Sequence, residues 1–284
     1  MSVQYHHPEN KHMSIEFINT SKKKVEKRSD KLEGSETDVL SYSLDEEVYV
    51  LYAGSEPPES AEKVEMDPNT LTAKVEDSTR PIVLRSLQAF VSVLENKQIQ
   101  EDERLRAYKQ LEPDAIPQAL DRVDWNGTVA EVGGRLMSNL ILRHPFPNAN
   151  HRTSLTMLER YVTANRDAFD MPKMHTADYE WKEWADEYIR DSKRILTVRR
   201  NAPRFFHLAR LGCESIVRKG GIEIELDQWD LTRDLNEAHE QYAVKHERLC
   251  EEFAERILHR QSIVESTEDG LGKRAFAEYL EELD

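Results

Sequence analysis

The chain has 284 residues, 38% hydrophobic and 33% charged, and a formal net charge of −15. That composition indicates a soluble, helix-rich protein, long enough for one large domain or two small ones. The acidic balance excludes a general binder of nucleic acid or anionic membrane surfaces, whose partners are themselves polyanions.

Two cysteines, Cys213 and Cys250, are too few for a disulfide framework and read as buried thiols in a reducing compartment. No apolar run is long enough to span a membrane, and MSVQYHHPENKHMS lacks the apolar stretch of a secretory signal. The expectation is a cytoplasmic protein.

In chain order, residues 1–20 read as a flexible lead-in, with His6, His7 and His12 an incidental cluster rather than a metal site. SKKKVEKR (21–28) followed by SDKLEGSETD reads as a solvated, charged helix. EVYVLYA (47–53) has strand composition. After the breakers PPES and DPNT, TLTAKVE (70–76) completes a long-looped hairpin. Leu84, Leu87, Val91 and Leu94 then predict a helix from Ile82. Short helices follow over 102–111 and 116–123.

Val129, Val132, Leu136 and Leu140 share one face of the next helix, with Gly133 and Gly134 inside it to permit close packing. Pro145 pushes His144 off helical dihedrals, so that helix stops there. Leu155, Leu158 and Val162 predict another from near Asn150. HTADYEWKEWADEYIRDSKRILTV and PRFFHLARLGCESIVRKG read as two helices, GGIEIEL as a short strand or turn, and 231–260 as a long packing helix that could also dimerise. The basic, aromatic segment 193–210 fits helix burial better than RNA contact. Trp181, Trp184 and Tyr188 form a core or partner stripe. The fold class is mainly α with a small hairpin.

The chemistry concentrates in RHPFPNANHRTSL (143–155), a solvent-exposed loop between two buried helices. The N–H groups opening the second helix attract anions, phosphates above all. Arg152 adds a fork suited to phosphate oxygens. His144 offers an imidazole able to act as general base near neutral pH. Phe146 anchors the loop. The plainer reading of the same residues is a turn with Asn150 as helix cap.

HPFPNANHR (144–152) resembles the signature of the Fic/Doc family, with His144, Phe146, Ala149, Asn150 and Arg152 in register. The resemblance implies a helical fold with a β-hairpin flap, placed within 47–76. It also implies transfer of AMP, or phosphate in the Doc branch, from ATP to a protein hydroxyl. It makes His144 the base and Phe146 the loop anchor, with Asn150, His151 and Arg152 at the nucleotide phosphates. Asn148 takes the place of the acidic Mg²⁺ ligand, where a neutral amide weakens the site. Leu155 takes the place of a second arginine, as in Doc. SDKLEG (29–34) is similar to the family's inhibitory motif, which makes Glu33 a brake on a helix over 21–34.

The expected organisation is therefore a lead-in over 1–20, a Fic/Doc-like domain over 21–170 and a helical region over 171–284. The expected function is transfer of AMP or phosphate to a target protein, with an antitoxin-like partner or a homodimer among the assemblies implied. The alternative is a degenerate site that only binds nucleotide or protein.

Overall fold

The computed structural model describes residues 1–54, 75–101, 109–166, 169, 171, 179–260 and 269–283. Among these the chain is mainly helical, with eight helices and two three-stranded sheets. It divides into two units, Met1–Pro57 with Arg190–Val244, and Pro58–Ile189 with Lys245–Asp284. The boundaries expected at residues 20 and 170 do not coincide with these units.

In the first unit, β1 (Ser2–Gln4) runs parallel to β5 (Ser215–Arg218), which pairs antiparallel with β6 (Ile222–Glu225). In the other sheet, β2 (Ser14–Asn19) and β3 (Glu36–Ser43) flank β4 (Glu47–Gly54), all antiparallel. Helix α1 (Lys22–Ser29) packs on this sheet through fully buried Val25. The Tyr52 hydroxyl donates to the Gln4 carbonyl at 2.6 Å and ties one sheet to the other.

Residues 1–20 are therefore built into sheets rather than forming a lead-in, with Val3, Met13, Ile15 and Ile18 buried. Each of these strands depends on a partner distant in sequence, which local pattern does not reveal. The histidines hold the turn between β1 and β2 against β3. His7 Nδ1 accepts the Asn10 N–H at 3.0 Å, and His12 Nε2 lies 2.8 Å from the Glu36 carboxylate.

The strand expected at 47–53 is β4, and it lies between β2 and β3. Residues 70–74 of TLTAKVE lie outside the described residues, as do 102–108 of the short helix expected there. The charged helix stops at Ser29, short of the expected 21–34. The chain then turns through Leu32 N–H to Ser29 C=O, and Glu33 stands exposed beside Gly34, whose φ is +75°.

The two helices expected either side of Pro203 are one, α6 (Tyr179–Ala209). Proline inside a helix removes a hydrogen bond at a cost of about 3 kcal/mol. Buried Ile195, Val198, Ala202, Phe205 and Leu208 keep one apolar stripe in phase across it, and their burial offsets that loss. SIVR, expected to be helical, is β5, because β1 offers it a parallel edge.

The second unit holds α2 (Arg80–Glu101), α3 (Ala115–Leu120), α4 (Val129–Arg143), α5 (Asn150–Asn165) and α8 (Lys273–Glu282). The start of α6 and the end of α7 (Leu235–Arg260) also belong to it, so both helices pass from one unit to the other. Thr128 and Glu131 open α4 with a capping box, Thr128 N–H donating to Glu131 Oε2 at 2.7 Å. A Cβ on Gly133 would meet Leu158 of α5 at 2.7 Å, and one on Gly134 would meet the Glu251 Cα of α7 at 2.5 Å. These two glycines let α4 sit between its neighbours, and the end of α4 delivers the loop of interest.

Candidate functional site

The loop between α4 and α5 begins and ends on a left-handed residue. His144 closes α4 at φ 53°, its N–H still bonded to Leu140 C=O at 3.0 Å, and Ala149 precedes α5 at φ 56°. They are the two non-glycine residues with positive φ among the described residues. Each costs on the order of 1 kcal/mol, so the surroundings must hold them in place.

Asn150 does most of the holding. It is 3% exposed, its Oδ1 accepts the Phe146 N–H at 3.1 Å, and its Nδ2 donates back to the Phe146 carbonyl at 2.9 Å. The same Nδ2 lies 3.4 and 3.5 Å from the two ring nitrogens of His144, so the imidazole sits over the start of α5. Phe146 is fully buried and stacks on Phe90 of α2, ring centroids 5.0 Å apart. Glu112 N–H donates to the Pro145 carbonyl at 2.9 Å and fixes the loop from the α3 side.

The loop is thus less exposed than its polar composition implies. Pro145, Phe146 and Pro147 are buried, while His144, Asn148, His151 and Arg152 are half-buried. The first helical bond of α5 runs from Thr153 N–H to Ala149 C=O, so the N–H groups of Asn150, His151 and Arg152 find no acceptor within the helix. His144, Phe146, Asn148 and Asn150 form one connected web, with His151 and Arg152 on the adjoining first turn. Glu33 belongs to the other unit.

Magnesium held by this loop does not suit the donor set. Residues 143–155 contain no carboxylate, and Asn148 Oδ1 accepts the Ala149 N–H at 2.6 Å. Hard divalent cations prefer charged oxygen ligands. Leu155, at 3% exposure, is a core residue.

A second polar cluster is wholly internal. Ser138 Oγ lies 2.7 Å from His246 Nδ1, with Cys250 Sγ 3.7 Å from the same nitrogen and all three residues buried. Burial pushes the Cys250 thiol up to about 12 and that of Cys213 to about 11, so both are poor nucleophiles. In the aromatic stripe, Tyr188 stacks on Phe253 at 4.2 Å and Trp184 carries the Arg256 guanidinium at 3.8 Å, whereas the Trp181 side chain is outside the described ones.

The comparisons with known proteins bear on the resemblance. A family model described as a family of unknown function (DUF8172) matches residues 1–284. The chain belongs to that family. No Fic/Doc model matches, which overturns the membership that HPFPNANHR suggested. No curated protein and no solved structure matches the chain. For this DUF8172 member, the resemblance no longer supports any residue's role, that of Glu33 included. The readings of His144, Asn150 and Arg152 rest on the residues themselves.

Sequence reasoning missed Phe90 and Glu112, which hold the loop in place. Phe90 lay in the helical pattern of Leu84 to Leu94 but nothing local marked it as the platform for Phe146. Glu112 acts through its main chain, which leaves no trace in side-chain pattern. The Thr128–Glu131 capping box, in contrast, is legible as T-x-x-E.

Proposed function

We propose that the α4–α5 loop binds nucleotide phosphates and that the protein transfers AMP, or phosphate, from ATP to a hydroxyl of a protein substrate. The supporting observation is the Asn150 amide, which places the His144 imidazole over the N-terminus of α5. A base thereby faces the N–H groups that favour phosphate. In the reaction, the substrate hydroxyl oxygen attacks phosphorus and its proton passes to His144. Pyrophosphate leaves if AMP is transferred, and ADP leaves if phosphate is. Arg152, one residue pair along the first turn, supplies positive charge where the transition state spreads negative charge over the phosphoryl oxygens. Any magnesium arrives with the nucleotide, as part of the substrate.

Transfer from ATP labelled separately on the α- and γ-phosphates tests the reading, with self-modification and lysate proteins as acceptors. Wild-type protein labels from one position, and His144→Ala, folded by circular dichroism, labels from neither. Undiminished labelling in His144→Ala refutes it. The absence of a carboxylate in the loop and the burial of Leu155 favour a second reading, a nucleotide- or protein-binding module. That reading gains if ATP binds independently of Mg²⁺ and no label is transferred.

A further inference from the structure

The side of α6 turned away from the core collects cations. From Lys193 to Arg210 the chain has six Lys and Arg and no Asp or Glu. Ile195, Val198, Ala202, Phe205 and Leu208 are buried, so one stripe anchors the helix while Arg200, His207 and Arg210 stand exposed on the other side. Two of the remaining cations are used within the fold. Arg194 pairs with Asp191 at 2.6 Å, and Arg199 Nε donates to the His239 carbonyl at 2.9 Å. Arg200, His207 and Arg210, in contrast, form no ion pair among the described residues.

Helix α1 extends this surface. Glu16 of β2 accepts from Arg28 of α1 at 2.8 Å through one oxygen and from Arg204 of α6 at 3.2 Å through the other, so one carboxylate joins guanidiniums from two helices. Lys24, a turn before Arg28, and Lys27 beside it are exposed, because α1 packs on its sheet through Val25. Together, α1 and the 193–210 segment hold eleven of the 39 Lys and Arg but only one of the 54 Asp and Glu. A net charge of −15 argues against binding polyanions over the whole surface, yet it leaves this one face suited to them. The face ends at the β3–β4 turn, where Asp45 N–H donates to the Leu211 carbonyl at 3.1 Å.

Phe206 selects among polyanions. It is 37% exposed within the basic face, with the Arg210 guanidinium 5.8 Å from its ring centre. An acidic peptide has no use for an exposed ring, whereas a nucleobase stacks on a ring and on a guanidinium plane. Arg200 and Arg210 are about 15 Å apart along the helix axis, a length over which a single strand presents several phosphates. We infer that the α1–α6 face binds single-stranded nucleic acid, with phosphates on Arg200, Arg210, Lys24 and Lys27 and a base on Phe206. These residues belong to the first unit and the α4–α5 loop to the second, so the two sites are tested apart.

Fluorescence anisotropy of a labelled oligouridylate of about 16 nucleotides, titrated with the full chain, tests this, with an oligoglutamate peptide of equal charge as competitor. Wild type binds the strand, and the affinity falls as salt rises. Arg200→Glu and Arg210→Glu each weaken binding by about tenfold or more. Phe206→Ala weakens it by about fivefold or more at an unchanged salt slope. Arg274→Glu, the same charge change on exposed α8, leaves it unaltered. All four side chains are exposed, so the variants keep their fold, which circular dichroism checks. Failure of wild type to bind, or equal weakening by Arg274→Glu, overturns the inference. So does displacement of the strand by oligoglutamate together with unchanged binding in Phe206→Ala, which assigns the face to an acidic protein segment instead.

Discussion

Replacing Asn150 by alanine removes the acceptor for the Phe146 N–H and the donor to its carbonyl, and puts no group in their place. Phe146 is fully buried and Asn150 is 3% exposed, so water has little access to either orphaned group. At about 1–2 kcal/mol for each unsatisfied buried group, the loss is about 2–4 kcal/mol. Some of it would appear as release of the left-handed conformations at His144 and Ala149, which Asn150 helps to impose. Asn150→Asp is expected to do no better, because one carboxylate oxygen replaces the donor and faces the Phe146 carbonyl. Urea unfolding of the full chain measures the effect as a lowered midpoint at unchanged slope. An alanine variant within 0.5 kcal/mol of wild type would show that the Asn150 bonds do not hold the loop.

Gly134→Ala brings a Cβ to 2.5 Å from the Glu251 Cα, a clash with backbone that should cost about 1–3 kcal/mol in thermal unfolding. Gly220→Ala meets no atom within 4 Å and should cost only the strain of its φ of +82°, about 1–2 kcal/mol. At pH 8, a thiol reagent should leave Cys213 and Cys250 unmodified in the native protein and label both in urea, as burial raises both thiols. His6 is held down to about 3 by burial first, then by Lys219 and Arg218. The unfolded chain therefore binds a proton there that the folded chain refuses. The stability from neutral His6 is complete above about pH 6.5 and is lost as the pH falls towards 3. His6→Gln should flatten that part of the stability–pH profile, and an unchanged slope would count against the buried, neutral ring.

The helical second unit was legible to the extent that its signals are local. Val129, Val132, Leu136 and Leu140 mark α4, Pro145 marks its end, and the start of α5 at Asn150 follows from Leu155, Leu158 and Val162. The sheets were not legible, because Val3 pairs with Ile216 and Phe17 with Leu51, contacts that no local window contains. The two helices expected over 175–198 and from 203 are one over Tyr179–Ala209, since the apolar stripe runs on past Pro203. At the candidate site, the polar residues of the loop were visible by type, and Phe146 could be read as an anchor. What it anchors to could not be read, nor the short web by which Asn150 draws His144 over α5. The nine-residue likeness to Fic/Doc does not extend to family membership, since the whole-length match is to a family of unknown function.

The parallel pairing of β1 with β5 also sets an order of events during synthesis. Val3 leaves the ribosome first, and its partner Ile216 follows about two hundred residues later. At translation rates of roughly 5–20 residues per second, the first strand waits about 10–40 s before its sheet can form. During that interval Val3 has no strand to pair with, whereas the α4–α5 helical pair can already close around its loop. Chaperone demand should therefore centre on β1, and slowing synthesis between α5 and β5 should lower the yield of native protein.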